Sequence, residues 1–391
     1  MNRLIERKPQ LLVMLLTLGV FGIINTEMGV VGIIPQIAET FGVSVPQAGW
    51  TVSVFALIVA ISAPIMPLLF SGVNRRTVML LALGLFTTSN LISIVTDSFG
   101  VLLVARALPA FLHPVYISMA FTVAAQSVNK EDAPKAVSKV FVGVSAGMVL
   151  GVPITSFIAS HTSFAVAMTF FAVVNAVVLV ATLLSVPSMP VSERLSYGMQ
   201  LGVLRKPVVW YSVIAFTFIN GAMFGFFSFM SDFLNRVTGF AFDTVSALLL
   251  VYGIANIVGN ILAGKLFPAR KRLYMLVTPI IMFVGYSLLF AFGEQSVTAS
   301  LLILLAGLLA GFVNIVGQYM ISNAASEAPD FANGLFLTAA NFGTMAGTAL
   351  CGAFITMAGT RYSLMGTLLF LAASLLFIFA RRYVTRNKTE Q

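Results

Sequence analysis

Long uninterrupted apolar stretches constrain the fold of this chain more than any other feature of its sequence. A helix needs about 20 consecutive apolar residues to cross the hydrocarbon core of a bilayer, and twelve stretches of roughly that length are separated by short polar breaks. Because 59% of the 391 residues are hydrophobic and only 9% are charged, an ordinary soluble domain is excluded. The sequence therefore predicts an all-α membrane protein with twelve transmembrane helices, called spans 1 to 12. Their approximate limits are 11–35, 46–70, 77–96, 99–127, 135–160, 164–187, 208–231, 243–267, 273–292, 297–321, 332–357 and 362–380.

Two other interpretations of these stretches fit the sequence less well. Membrane β-barrels show alternating segments of roughly ten residues, whereas these stretches are continuously apolar. Arg3, Arg7 and Lys8 before span 1 are similar to the charged region of a signal peptide. The apolar stretch that follows exceeds the roughly 7–15 residues of a signal sequence, so we expect span 1 to be retained.

The distribution of lysine and arginine predicts the orientation in the membrane, because these residues bias short loops toward the cytoplasm. Of the 22 Lys and Arg, 19 lie in the two tails or in loops on one side. Arg236 and Arg361 lie on the other side, and Arg106 lies within span 4. We therefore expect both termini to be cytoplasmic, although the predicted cytoplasmic loop with Glu327 and Asp330 has no basic residue. The net charge of +9 reflects this topology, and we expect no nucleic-acid partner.

An internal repeat divides the chain into two halves. The longest polar break predicts a cytoplasmic linker over residues 188–207, between six-span bundles at 1–187 and 208–391. A shift of 196 positions aligns landmarks of the two halves. Two homologous halves around a midplane site are typical of alternating-access carriers, although duplicated bundles also occur in channels and sensors. The aligned pairs are Arg76 with Arg272, Gly29 with Gly225, Gly147 with Gly343, and Gly151 with Gly347.

Two charged residues lie well inside predicted spans, Glu27 in span 1 and Arg106 in span 4. Each would cost roughly 2.5–3.5 kcal/mol at the centre of a bilayer, so such residues normally face a cavity, a partner or a proton path. The helical rise places both roughly 10–12 Å below the outer boundary, close enough to pair across adjacent helices. The functional hypothesis is that a proton reaching Glu27 breaks this pair. A permanent ion pair that only orients the two helices is the alternative.

His113 lies seven residues after Arg106, on almost the same helix face, and Tyr116 lies about one turn further along. The flanking Pro109 and Pro114 are expected to loosen the backbone of span 4. His113 is therefore a candidate for proton transfer or substrate binding, and Tyr116 for substrate binding. A buried neutral histidine bonded to a neighbour is an equally good interpretation of His113.

Amide side chains within the spans form a second group of candidate substrate ligands. They can hydrogen-bond polar solutes, but they also join membrane helices at about 0.6 kcal/mol on average. Because no second charged group accompanies them, we expect a neutral polar substrate. The candidates are Asn25, Asn220, Asn256, Asn260, Asn314, Gln318 and Asn341.

Gly143, Gly147 and Gly151 in span 5 have the spacing that lets membrane helices approach closely, and Pro153 follows them. Close packing is sufficient to explain these glycines. A gating role is a further hypothesis.

Motifs of enzymatic chemistry are missing from the sequence. There is no Walker-type lysine loop and no paired His-Glu zinc motif, and the chain has only two His and one Cys. We therefore expect no enzyme, no metal site and no cofactor.

Short motifs in spans 1, 4 and 5 resemble those of the twelve-span drug:proton antiporter branch of the major facilitator superfamily, and within it bacterial sugar efflux transporters. The motif residues are Asn25, Thr26 and Glu27; Arg106, Ala110 and His113; and Met148, Val149, Leu150, Gly151 and Pro153.

This resemblance implies the major facilitator fold of two pseudo-symmetric six-helix bundles in the bacterial inner membrane. It further implies proton-coupled antiport that exports sugars or related neutral metabolites, with protons and the small molecule as partners and the protein as a monomer. Arg106 matches the family's span 4 arginine linked to proton transfer, and span 5 matches the antiporter glycine motif. Efflux of drugs or purine nucleosides, uncoupled facilitation and proton-coupled uptake are the alternatives.

The loop between spans 2 and 3 departs from the family pattern. It reads Ser71 to Arg76 and retains Arg75 and Arg76, but it has no acidic residue. A charge-relay lock at this loop is therefore not expected.

Overall fold

The computed structural model describes residues 9–70, 72–129, 132–190, 200–327 and 329–387, and over these it is nearly all helical. Ser71, Lys130 and residues 191–199 of the predicted linker lie outside them, as do the basic residues at 3, 7, 8 and 388. Twelve helical segments are long and apolar enough to cross a membrane, which confirms the twelve predicted spans. In order they are Pro9–Phe41, Val45–Ser62, Arg75–Val95, Phe99–Ala124, Val142–His161, Phe164–Ser185, Pro207–Arg236, Phe242–Ala269, Lys271–Phe292, Ser296–Ala324, Ala332–Ala358 and Thr360–Tyr383.

Span 1 is interrupted shortly after Glu27. An α-helix over Pro9–Gly29 passes into a 3-10 turn over Val30–Ile33, and a second helix covers Ile34–Phe41. Pro35 lies in the first turn of that second helix, and proline cannot donate the hydrogen bond that would continue an α-helix through this point. An α-helix that ends at Gly29 leaves the carbonyl groups of its last turn, including that of Glu27, without α-helical partners.

Span 4 is also built from two helices, Phe99–Ala110 and His113–Gln126. Pro109 lies inside the first helix and Pro114 in the first turn of the second, so the break lies between the two prolines, as the sequence predicts. His113 is consequently the first residue of a helix.

The chain forms two compact units, which differ from the predicted halves in the position of span 2. The first unit comprises Met1–Gly42 and Ile61–Leu195, and the second comprises Val43–Ala60 and Ser196–Gln391. Inside the second unit, the N-terminal part of span 2 packs through Gly49 against the ring of Phe229. A methyl group added at Gly49 would lie 2.7 Å from that ring.

The repeat in the sequence corresponds to a repeat in packing. Span 1 packs mainly against span 5, and span 7 packs against the equivalent span 11 and, almost as extensively, against span 12. Gly151 lies against Asn25 in the first unit, and Gly347 lies against Gly221 in the second. Both members of the second pair are displaced by 196 positions from the first, so equivalent residues make equivalent contacts in the two units.

Span 7 is longer than predicted, because its helix continues to Arg236. Asp232 therefore lies inside the span and is buried, with 1% of its surface exposed. The two charged residues predicted well inside spans did not include Asp232, which lies four residues before the end of this helix. The prediction ended the span at the first acidic residue, whereas the protein buries that residue by giving it polar partners.

Candidate functional site

The carboxylate of Glu27 and the imidazole of His113 form the central contact of the first unit. Glu27 Oε2 lies 3.0 Å from His113 Nε2, joining span 1 to span 4. The two side chains are 11% and 8% exposed, respectively. In this water-poor setting the contact between them is electrostatically stronger than it would be at a hydrated surface.

Arg106 binds the main chain beside this pair. Its Nη1 donates to the carbonyl of Thr26 over 3.2 Å, and its Nη2 donates to the carbonyl of Glu27 over 3.4 Å. Both carbonyls belong to the last turn of the helix Pro9–Gly29, where the helix dipole favours a positive charge. The sequence predicts that Glu27 and Arg106 lie close together, and the structure brings them together through these carbonyl groups.

Thr26 is held by two asparagines that the sequence analysis did not select. Asn175 Nδ2 of span 6 donates to Thr26 Oγ1 over 2.9 Å, and Asn90 Nδ2 of span 3 donates to the same oxygen over 3.4 Å. The threonine hydroxyl itself donates to the carbonyl of Gly22 over 2.9 Å. All of these side chains are buried. The only sequence signal for them is an amide within an apolar span, which many packing residues share.

Asn25 of span 1 and Tyr116 of span 4 are both buried where span 1 packs against its neighbours. Asn25 is fully buried beside Gly151, and neither of its side-chain polar atoms has a hydrogen-bond partner within the described residues. Tyr116, 1% exposed, packs against Gly19, where no larger residue would leave room for the tyrosine ring. Both residues lie in the same unit as Glu27 and His113.

Two predicted amides of the second unit, Asn220 and Asn341, bond to main-chain carbonyl groups. Asn220 donates to the carbonyl of Ala340 over 2.6 Å and to Thr344 Oγ1 over 3.2 Å, which joins spans 7 and 11. Asn341 donates over 3.0 Å to the carbonyl of Leu337 in its own helix. Asn220 therefore connects two helices, whereas the Asn341 bond stays within one helix.

The other amides of this unit are half-buried. Asn260 donates to Asn256 Oδ1 over 2.9 Å, and Gln318 donates to Asn333 Oδ1 over 2.9 Å. Asn314 lies one turn before Gln318 in span 10 and is half-buried as well. Of the seven predicted amides, Asn25 lies in the first unit and the other six lie in the second.

The span 5 glycines pack tightly on span 1. Gly143 lies against the carbonyl of Thr17, and Gly147 lies against Ile24. Pro153 lies inside the same helix, two residues after Gly151. Close helix packing, the simpler of the two interpretations, accounts for these contacts.

Arg75 and Arg76 attach the loop between spans 2 and 3 to other parts of the first unit. Arg75 Nη1 donates to the side chain of Gln126 at the end of span 4. Arg76 Nη2 donates to the carbonyl of Leu183 in span 6 over 2.7 Å. Asn74 of this loop donates to Ser188 Oγ over 2.6 Å, so the loop is held by hydrogen bonds.

Asp232, the buried carboxylate of span 7, has two polar partners. Its Oδ2 accepts a hydrogen bond from Thr360 Oγ1 over 2.8 Å, and its Oδ1 lies 2.7 Å from Arg236 Nε. The first contact joins span 7 to the 3-10 turn Thr360–Tyr362 at the beginning of span 12. Apolar residues on both sides of Asp232 are the sequence signal that could have extended the predicted span across it.

Twelve membrane-crossing helices, a packing repeat and a buried ionisable cluster define a polytopic membrane transport protein. The Major Facilitator Superfamily model matches residues 16–328, and the chain belongs to this superfamily.

Two curated relatives match almost the whole chain. The chain is 31% identical to the uncharacterized MFS-type transporter YtbD of Bacillus subtilis (strain 168), with 96% of both chains covered. It is 29% identical to the inner membrane transport protein YdhP of Escherichia coli (strain K12), covering 94% of this chain and 95% of the relative. The apolar helices and these relatives support a multi-pass inner membrane protein that acts on small molecules.

Solved structures confirm the major facilitator fold. A point mutant of the nucleoside transporter NupG has a TM-score of 0.78 at 16% identity, with 96% of this chain and 100% of that chain covered. The inward-facing, occupied structure of a bacterial homolog to the human lysosomal transporter Spinster has a TM-score of 0.75 at 18% identity, with 95% and 96% covered. At these identities the likeness shows the fold alone.

Proposed function

We propose that this protein is a proton-coupled antiporter that exports sugars or related small neutral polar metabolites. The observation that carries the proton-coupling part is the contact of Glu27 with His113 at 3.0 Å, inside the membrane and next to a permanent cation, Arg106. Ionisable side chains inside membrane spans commonly form proton relays in pumps and transporters.

The pair can gain or lose a proton with a large electrostatic consequence. With one proton shared, Glu27 and His113 together are neutral, and their contact joins span 1 to span 4. Loss of the proton leaves a carboxylate, and gain of a second proton leaves an imidazolium near the positive charge of Arg106. Each change alters the contact between spans 1 and 4, so protonation can bias an equilibrium between two states of the carrier.

A neutral polar substrate is supported by the side chains of the spans. The buried Asn25 has spare hydrogen-bonding capacity, and half-buried amides such as Asn314 lie in the second unit. Amides recognise hydroxyl groups without a net charge. We further propose two homologous six-span halves at 1–187 and 208–391 joined by a cytoplasmic linker at 188–207, both termini in the cytoplasm, and a monomeric carrier.

The test is substrate-driven proton movement in liposomes that contain purified protein and an internal pH dye. Sugars, nucleosides and cationic drugs are added in turn to wild type, Glu27→Gln and the control Glu39→Gln. Glu39 is an exposed carboxylate of the same span. A sugar-triggered proton flux that is lost only in Glu27→Gln supports the proposal. Flux with drugs or nucleosides alone overturns the substrate class, and substrate equilibration without proton flux overturns antiport.

A further inference from the structure

A buried polar network outside the ionisable cluster holds span 1 beside Glu27. The network consists of Thr26, Asn90 and Asn175, and it brings together spans 1, 3 and 6. Arg106 of span 4 binds the Thr26 carbonyl, so three neighbouring spans contact this one residue.

The hydrogen bonding at Thr26 Oγ1 is complete. A hydroxyl has one donor and two acceptor positions, and here the donor meets the Gly22 carbonyl while both acceptor positions meet an asparagine. Asn175 is oriented for this role because its Nδ2 also donates over 2.9 Å to the carbonyl of Phe171 in its own helix. Its bond to Thr26, at 2.9 Å, is shorter than the 3.4 Å bond from Asn90, which makes Asn175 the main contact.

Glu27 directly follows Thr26, so the rotation of span 1 at Thr26 determines where the Glu27 carboxylate points. A helix with its side chains is about 10–12 Å across, so a rotation of span 1 by about 20° would move a carboxylate by about 2 Å. Such a displacement is sufficient to break the contact between Glu27 and His113. The side chains that spans 3 and 6 contribute to the network are uncharged, and two charged or titratable groups that face Glu27 are His113 and Arg106 of span 4.

We propose that Thr26, together with Asn175 and Asn90, is a positioning residue that fixes the rotation of span 1 so that Glu27 meets His113. Its effect on transport rests on the proposed function. Its effect on the contact of Glu27 with His113 does not.

The first arm of the test measures the imidazole directly. The chain has two histidines, so a protein labelled with 15N-histidine gives two imidazole signals, and His161→Gln identifies that of His113. Thr26→Val removes the acceptor and keeps the shape, whereas Thr26→Ser keeps the hydroxyl. Thr87→Val is the matched control, because the Thr87 hydroxyl is also buried but donates only to the carbonyl of Leu83 in its own helix.

We expect Thr26→Val to move the 15N signals of the His113 imidazole from their wild-type positions toward those of Glu27→Gln. Thr26→Ser should restore the wild-type signals, and Thr87→Val should retain them. Asn175→Leu should move the signals like Thr26→Val. Thr26→Val signals equal to wild type, or an equal displacement in Thr87→Val, overturn the proposal.

The second arm measures the pH profile of substrate-driven proton flux with the same variants. The expected result is a displaced profile in Thr26→Val that Thr26→Ser corrects. If Thr26→Val moves the His113 signals but the wild-type protein carries no proton flux, the proposed function is overturned and the positioning role is supported. Proton flux that requires Glu27, with unchanged His113 imidazole signals in Thr26→Val, would overturn the positioning role alone.

Discussion

The guanidinium group of Arg106 donates a hydrogen bond to the main-chain carbonyl of Glu27. The carboxylate of the same glutamate contacts His113, which lies in span 4 with Arg106. Span 4 therefore holds span 1 twice at one residue, once through the backbone and once through the side chain. Protonation can change the side-chain contact while the backbone contact persists, because arginine stays charged in proteins.

We predict that Arg106→Lys impairs the protein although it keeps the charge. Arginine spans two carbonyl groups with one planar fork, and a lysine ammonium cannot reproduce this geometry. Hydrogen bonds to charged groups contribute about 1.5–3 kcal/mol, so the thermal unfolding midpoint should fall measurably in detergent. Proton flux should fall about tenfold or more. An Arg106→Lys variant with wild-type melting and flux would contradict this role.

We expect Gly347→Ala to destabilise the protein strongly, although it adds only one methyl group. The added methyl group would overlap the backbone of Gly221, which cannot move aside as a flexible side chain could. Overpacking of this kind typically costs about 1–3 kcal/mol. Gly264→Ala is the control, because no atom lies within 4 Å of its added methyl group. The control should melt at or above the wild-type temperature, since alanine favours helix over glycine by about 1 kcal/mol. Equal melting of the two variants would refute the tight contact.

Asn25→Leu tests separately whether Asn25 lowers the stability of the protein and whether it binds substrate. A buried amide without partners costs about 1–3 kcal/mol, so replacing it by an apolar side chain of similar size should raise the melting temperature. If Asn25 binds substrate, the same variant should also weaken the apparent affinity in liposome transport. Destabilisation with unchanged affinity would assign Asn25 to packing.

For Asp232→Asn we expect only a small loss of stability, about 1 kcal/mol or less. The amide oxygen can still accept the hydrogen bond from Thr360, and the lost ionic partner, Arg236, is 62% exposed and therefore well solvated. Asp232→Ala should cost more, because Thr360 then loses its acceptor. Thermal melting of the two variants side by side measures the difference, and equal costs would contradict this ranking.

Apolar stretches predict the twelve spans well because the bilayer demands them, and prolines explain the breaks in spans 1 and 4. Helical rise also places Glu27 and Arg106 at the same depth. The rotation of each helix about its axis depends on packing with its neighbours, so the contact of Glu27 with His113 could not be derived from spacing.

Asn90 and Asn175 were missed for a related reason. A single amide in an apolar span becomes significant only when its partner is known, and both amides meet Thr26 on another helix. The membership of span 2 in the second unit likewise depends on contacts such as Gly49 with Phe229, which lie far apart in the sequence.

The central claim is that the pair of Glu27 and His113 couples protons to solute movement. The most direct measurement is uphill transport of a sugar by purified protein in liposomes under an imposed pH gradient, with wild type, Glu27→Gln and Glu39→Gln compared. The account predicts accumulation against the sugar gradient in wild type and Glu39→Gln, and only equilibration or no transport in Glu27→Gln. Undiminished uphill transport by Glu27→Gln would contradict it.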